Sequence, residues 1–265
     1  MKSLVRWSAT LGLVGSAMLG SLSIGNLQAL ALPDEQVVQK LQSVPVFTIT
    51  DAQGSPLVAS VPNGQNKAVA VAPAFLSQRD AQAFVDRLKT NKPDLAKAVQ
   101  VVPVSMGDVY KLIKDNQNKP DGLNFQYVPV QQQVQSAQAI VTQAGQQGQQ
   151  FQGTPLFVAT GASPQEFVVF PQPDGQQAVP FFFDKDQLQG IVDKIKQQKP
   201  DTKIQITVVP LESLIQKLQS SNDPFVQKIQ LVRSQEADQF VQSLPASRPA
   251  NQSSPQQGAP QRPRQ

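Results

Sequence analysis

A gapless internal duplication constrains this chain more than any other feature. "APAFLSQRDAQAFVDRLKTNKPD" (Ala72–Asp94) returns 107 positions later as "VPFFFDKDQLQGIVDKIKQQKPD" (Val179–Asp201). At that offset Pro73, Phe75, Gln82, Val85, Asp86 and Lys89 recur as Pro180, Phe182, Gln189, Val192, Asp193 and Lys196. Lys92-Pro93-Asp94 and Val101-Val102-Pro103 recur as Lys199-Pro200-Asp201 and Val208-Val209-Pro210. Upstream, Pro45-Val46-Phe47 and Pro62-Asn63-Gly64 parallel Pro155-Leu156-Phe157 and Pro173-Asp174-Gly175. Self-similarity of this kind means one supersecondary unit used twice.

Each unit reads alike. An apolar strand opens it (44–50; 154–160). Two further strands follow around Asn-Gly or Asp-Gly, residue pairs that tolerate positive φ: 57–61 with 68–72, and 167–170 with 178–183. Ser77 and Asp184 are expected as helix N-caps, with Asp80 and Gln187 three residues on in capping-box position. Ala81, Phe84, Val85 and Leu88 make a helical stripe, repeated by Leu188, Ile191, Val192 and Ile195. Pro93 and Pro200 stop these helices. The next strand (98–104; 204–210) is expected parallel to the one before the helix, because a helical crossover returns the chain in that sense. A short helix carrying Val109, Leu112 and Ile113, or Leu214, Ile215 and Leu218, comes next. Glutamine-rich helices built on Val134, Ala137, Ile140, Val141 and Ala144, or on Ala237, Phe240, Val241 and Leu244, close the units.

The expected fold is therefore α+β: two tandem pseudo-symmetric halves, each a mixed sheet with a β-hairpin and a βαβ crossover, covered by amphipathic helices. The halves span 32–145 and 154–244, with a Gln/Gly-rich linker at 146–153 and a Pro/Gln-rich tail at 245–265 expected to be disordered.

Residues 1–31 read as a signal peptide: Lys2 and Arg6, an acid-free apolar run from Leu11 to Ile24, and an A-x-A site at Ala29 and Ala31. The run falls short of the about 20 apolar residues of a spanning helix. Cleavage is expected between Ala31 and Leu32, with the periplasm as destination; a thylakoid lumen uses the same kind of signal.

Charge and residue types narrow the chemistry. Without the leader, 21 basic side chains face 19 acidic ones, and Arg248, Arg262 and Arg264 lie in the acid-free tail, so the folded part is near neutral. Nucleic-acid binding needs a concentrated cationic footprint, and none exists. There is no cysteine for a disulfide staple, and no histidine to act as general base or metal ligand. Phosphate loops, dinucleotide fingerprints and nucleophile elbows are also missing. Asp184 and Asp186 form a D-x-D, but Gln187 and Leu188 do not continue a calcium loop, and acids at a helix start explain the pair. A hydrolase would need a carboxylate site or a Ser–Lys dyad, such as Ser105 or Ser213 near Lys111 or Lys217.

Phe75 and Phe182, aromatic in both copies, are expected core. Leu76, Phe181 and Phe183 flank them; they are the candidate apolar positions for a partner.

"LQSVPVFTITDAQGSPLVAS" (Leu41–Ser60), "AFLSQRDAQAFVDRLK" (Ala74–Lys89), "TPLFVATG" (Thr154–Gly161) and "PFFFDKDQLQGIVDKIK" (Pro180–Lys196) resemble the Tic-twenty-two (Tic22) family. That family is a component associated with the translocon at the inner envelope membrane of chloroplasts. The resemblance implies a non-enzymatic, chaperone-like protein of an intermembrane or periplasmic space, without cofactor, and with apolar surface pockets. The bacterial-style leader points to a cyanobacterial relative. Implied partners are unfolded precursor or outer-membrane proteins and a barrel-assembly protein with POTRA domains, with peripheral membrane association. A passive envelope or thylakoid scaffold is the other non-enzymatic alternative.

Overall fold

The computed structural model describes residues 32–244, apart from 63–67, 118, 120–121, 146–147, 174 and 222. Ala31 and residues 245–265 lie outside the described residues; Leu32 is inside them and buried.

The first half runs α1 (Asp34–Gln42), β1 (Pro45–Asp51), β2 (Ala59–Pro62), β3 (Ala68–Phe75), α2 (Gln78–Asn91), α3 (Pro93–Lys97), β4 (Val99–Ser105), α4 (Met106–Asn116), β5 (Asn124–Val128) and α5 (Gln131–Gln143). The second runs β6 (Pro155–Thr160), β7 (Phe170–Pro171), β8 (Gln177–Phe182), α6 (Lys185–Gln198), β9 (Gln205–Pro210), α7 (Leu211–Ser220), α8 (Pro224–Lys228), β10 (Ile229–Val232) and α9 (Gln235–Ser243).

Strand β3 is the hub of the first sheet. Val71 pairs with Ala59 and with Asn124, and Phe75 with Phe47 and with Val128. So β2 and β1 share one side of β3, while β5 takes the other in parallel. Strand β4 lies antiparallel on the far side of β1, in register from Pro45↔Ser105 to Asp51↔Val99. Hence β4 does run parallel to β3, as the crossover requires, but β1 separates them. The second sheet repeats this, with β8 between β6 and the parallel β10, and β9 beyond β6. Among the described residues β4 and β9 are edges, and each carries a proline, Pro103 opposite Phe47 and Pro210 opposite Pro155. A strand edge tolerates proline, and proline discourages further strand addition.

Local signals behave as the residues dictate. Ser77 Oγ accepts the Asp80 N–H at 3.1 Å, and Asp184 Oδ1 accepts the Asp186 N–H at 3.0 Å. Helices α2 and α6 each end two residues before their proline, Pro93 and Pro200. In the second hairpin Gly175 sits at φ 81, where glycine is tolerated without strain. The Asn63–Gly64 and Asp174 parts of the turns lie outside the described residues. Elements α1, β5 and β10 were not among those expected. Their sequences, "DEQVVQKLQ", "NFQYV" and "IQLV", are too short or too polar for either period to stand out.

Each sheet is covered on both faces, so its central strands are continuously apolar. On β6, Leu156 and Val158 face inward, while Phe157 and Ala159 face out. On β8 and just beyond, Val179, Phe181 and Phe183 face inward and Phe182 outward. The inward faces of both sheets meet α1, α4, α7 and α8 in one buried cluster holding Val46, Met106 and Val109 beside Leu211, Leu214 and Val226. Tyr110 on α4 ties this centre together: its hydroxyl donates to Asp34 Oδ1 on α1 at 2.7 Å and accepts from Gln219 Nε2 at 2.9 Å, in the second half. Burial pushes this phenol up to about 12, with the bond to Asp34 adding to the shift.

The outer cores are closed by exchange. Helix α5 of the first half lies on the second sheet, with Ala137 buried among Phe157, Phe182 and Leu188. Helix α9 of the second half lies on the first sheet, where Phe240 meets Phe47 edge-on at 5.0 Å.

Helices α1 and α4 approach closely at Gly107, where a Cβ would stand 2.7 Å from the Val38 carbonyl and 2.6 Å from Gln42 Oε1. Gly107→Ala is expected to destabilise by about 1–3 kcal/mol from overpacking, despite alanine's better helix propensity. The denaturant midpoint measures this; an unchanged or higher midpoint would mean that α1 yields freely.

Candidate binding cleft

The exchange brings four helix N-termini to one seam. Helices α2 and α6 start there after Ser77 and Asp184, and the crossing helices α5 and α9 start there after Val130 and Ser234. Between them opens a cleft of about 340 Å³. Its walls pair by pseudo-symmetry: Pro45 with Pro155, Leu76 with Phe183, and Ser77 with Asp184.

The capping bonds reach across the seam. Glu236 Oε1 on α9 accepts the Ser77 hydroxyl at 3.2 Å and the Arg79 N–H at 3.0 Å, at the start of α2. Gln133 on α5 does the same for α6, its Oε1 accepting the Lys185 N–H at 3.1 Å and its Nε2 donating to Asp184 Oδ1 at 3.3 Å. The expected capping boxes at Asp80 and Gln187 are therefore replaced by side chains from the other half. Both crossing residues stand early in the closing helix, and both are followed four residues later by the side chain that enters the core, Ala137 or Phe240. In a helix with Gln131, Gln132, Gln133, Gln135 and Gln138 that spacing singles out none of them, so the sequence carries no specific signal for the pair.

Leu76, Phe181 and Phe183 fall differently from the expectation of partial exposure. Phe181 is 1% exposed, facing the central core where Phe167 packs against it, and offers no surface. Leu76 and Phe183 are also buried, at 8% and 6%, but both contribute to the cleft wall. Alternation explains the difference from Phe182, and coverage of both faces explains why none is open.

The Ser–Lys candidates are a helix cap and exposed side chains. Ser105 Oγ caps α4 by accepting the Asp108 N–H at 2.9 Å. Ser213 and Lys217 sit exposed on α7, and Lys111 is exposed on α4. Asp184 is spent on capping α6, and no group of three or more acidic side chains among the described residues is placed to hold a metal ion. The cleft thus presents apolar walls from Val44, Leu76, Val130 and Phe183, and a polar rim from Arg79, Gln132, Gln133 and Gln239.

One titrating group stands at its edge. Burial, with Glu236 close by, holds the Asp80 carboxyl above its ordinary 3.8, outweighing Arg79 and Arg87. The fold therefore favours the protonated form, a contribution fully present below pH 3.8 and lost as pH rises through the folded value. Asp80→Asn is expected to raise Tm at pH 7 by roughly 1–2 °C, discounted for solvent screening. The gain should vanish near pH 3; a loss at pH 7 would show that the charge instead supports the start of α2.

Residues 1–243 match the model of the Tic22-like family. Protein TIC 22, chloroplastic, of Arabidopsis thaliana is 24% identical over 185 residues, covering 70% of this chain and 62% of that protein, so the chain spans less than two thirds of that relative. The Pisum sativum protein of the same name is 23% identical over 195 residues, covering 73% of this chain and 70% of its own. Among solved structures, Anabaena Tic22, described as a protein-transport protein, superposes with a TM-score of 0.74 at 30% identity, over 82% of this chain and all of that one. Tic22 from Plasmodium falciparum shares the fold with a TM-score of 0.60 at 20% identity, over 77% of this chain and 95% of its own. With its family match running from the first residue through α9, the chain belongs to the Tic22-like family.

Proposed function

We propose that this chain is a non-enzymatic protein-transport factor that holds extended, unfolded segments of precursor or outer-membrane proteins in its seam cleft. The cleft carries the reading: about 340 Å³, lined by both halves, with polar groups over the larger part of its surface and the edges of the nearly buried Leu76 and Phe183 between them. Such a lining offers hydrogen bonds to an extended backbone and a small apolar contact for its side chains. A cleft this small captures only a short stretch of chain, so binding is weak and release is easy, as a carrier requires.

Supporting observations come from the family match and from the side chains. Of the Ser–Lys candidates Ser105 serves as a helix cap, as does Asp184 of the D-x-D pair. No helix among the described residues is long and apolar enough to cross a membrane. The leader-like composition of residues 1–31 supports a periplasmic place of work; peripheral membrane association and delivery to a POTRA-containing barrel-assembly protein enter this reading through the family resemblance alone.

The test uses Gln132, which lines the cleft from an exposed position. Gln132→Trp should fill the opening, weaken binding of an unfolded outer-membrane barrel protein about tenfold, and leave Tm unchanged. Aggregation suppression and fluorescence titration read the effect. Wild-type protein that neither suppresses aggregation nor binds a POTRA domain would sink the proposal, as would full binding by the filled variant.

A further inference from the structure

The hairpins of the two halves match pair for pair but end in opposite chemistry. In the first, Ala59 pairs with Val71, Ser60 with Ala70 and Val61 with Val69. In the second, Phe170 pairs with Ala178 and Pro171 with Gln177, and the Gln172 N–H then donates to the Gln176 carbonyl at 2.8 Å. Val61 and Val69 thus stand where the second ribbon has Gln172 and Gln176, and Ser60 stands where it has Pro171. Phe170 packs onto the second outer core, whereas Ala59, Ser60 and Val61 are all exposed, Val61 at 44% and Val58 before them at 45%. The base of the first ribbon is fixed. Leu57 packs on the first outer core and its N–H donates to the Ile49 carbonyl at 2.7 Å, while Asp51 Oδ1 accepts the N–H groups of Gln53 at 2.9 Å and Ser55 at 2.8 Å. Among the described residues β2 pairs with β3 alone, so its other edge is unpaired.

We propose that the unpaired edge of β2 is a second binding site, one that takes an uncharged extended segment of another protein as an added strand. A strand edge presents backbone N–H and C=O groups for pairing, and sheets normally blunt it with charge or proline. The second ribbon has Pro171 for this; β2 has no charge, and its one proline, Pro62, is its last residue. Charge selects the occupant. Residues 52–66 and 68–78 carry none, and Lys67 between them lies outside the described residues, so a charged strand finds no counter-charge on the described ribbon. An anionic lipid surface would be held by cations, and the described ribbon has none. Size excludes a folded partner. Strand β2 has 4 residues, about 13 Å of chain, and so short an edge cannot supply the about 800 Å² per partner of a standard stable dimer. Strand addition needs no such area, because main-chain hydrogen bonds carry the affinity and alternate side chains the selection. Ala59, Val61, Val69 and Val71 share one face of the ribbon, so the preferred segment alternates apolar and uncharged polar residues, its apolar side on that face. None of these four residues lines the seam cleft, so either proposal can fail while the other stands.

The test titrates the full chain with a fluorescent, end-capped octapeptide of alternating valine and serine. Val61→Lys, at an exposed position, should weaken binding about tenfold with Tm unchanged. Ser60→Pro, which copies the proline of the second ribbon, should do the same. Val169→Lys, at the place in the second ribbon that matches Val58, should change nothing. The same octapeptide N-methylated throughout keeps its side chains, loses its donors and should not bind. Equal binding by the N-methylated peptide would mean apolar contact without strand addition and would overturn the proposal, as would equal binding by the Val61→Lys chain or no binding by the wild type. A concentration-dependent dimer, or adhesion to phosphatidylglycerol vesicles, that Val61→Lys abolishes would overturn it too, by assigning the edge to a second copy or to a lipid surface.

Discussion

The structure depends on the reciprocal exchange of its closing helices. Neither sheet finishes its outer core with its own half: Phe157 waits for Ala137, and Phe47 for Phe240. Burying one such phenylalanine is worth roughly 1.5–3 kcal/mol, a large share of a typical fold's net stability. The same crossing supplies the caps of α2 and α6 through Glu236 and Gln133. Pseudo-symmetry, the inter-sheet core and the seam cleft all follow from it. A change that weakens one crossing helix would therefore be felt in the opposite half, at a helix start and in a core together.

Much of this was legible in the residues. The duplication fixed two like units, proline positions fixed the helix ends, and the apolar run through Phe181, Phe182 and Phe183 fits a sheet covered on both sides. The exchange was not legible, because an amphipathic stripe such as Ala237-Phe240-Val241 says that a helix has a buried face and not which sheet receives it. For the same reason Ser77 and Asp184 could be named as caps, while their partners from across the seam could not. Short strands β5 and β10 escaped because four or five residues hold too few turns of any period. The cleft was visible only in part: Leu76 and Phe183 are in its wall, but Phe181, beside them in sequence, points into the central core by alternation.

The chemistry of the cleft is equally constrained by what its polar groups already do. Ser77, Asp184, Glu236 and Gln133 are engaged in satisfying helix N–H groups, which would otherwise be left open at the seam. Such side chains are held rigidly and are poor candidates for proton transfer. They suit recognition by shape, with the exposed rim glutamines available to hydrogen-bond a passing backbone.

The position of α9, far along the chain from the sheet it covers, has a further consequence, for the order in which the molecule can be made. A ribosome delivers the first half long before residues 235–243 exist, and domains ordinarily fold as they emerge, N-terminal first. Here the first sheet lacks the Phe240 ring and the Glu236 cap until residues 236–240 are synthesised. The chain thus carries a built-in delay: its earliest part stays incomplete, and easier to keep unfolded, until its latest part arrives.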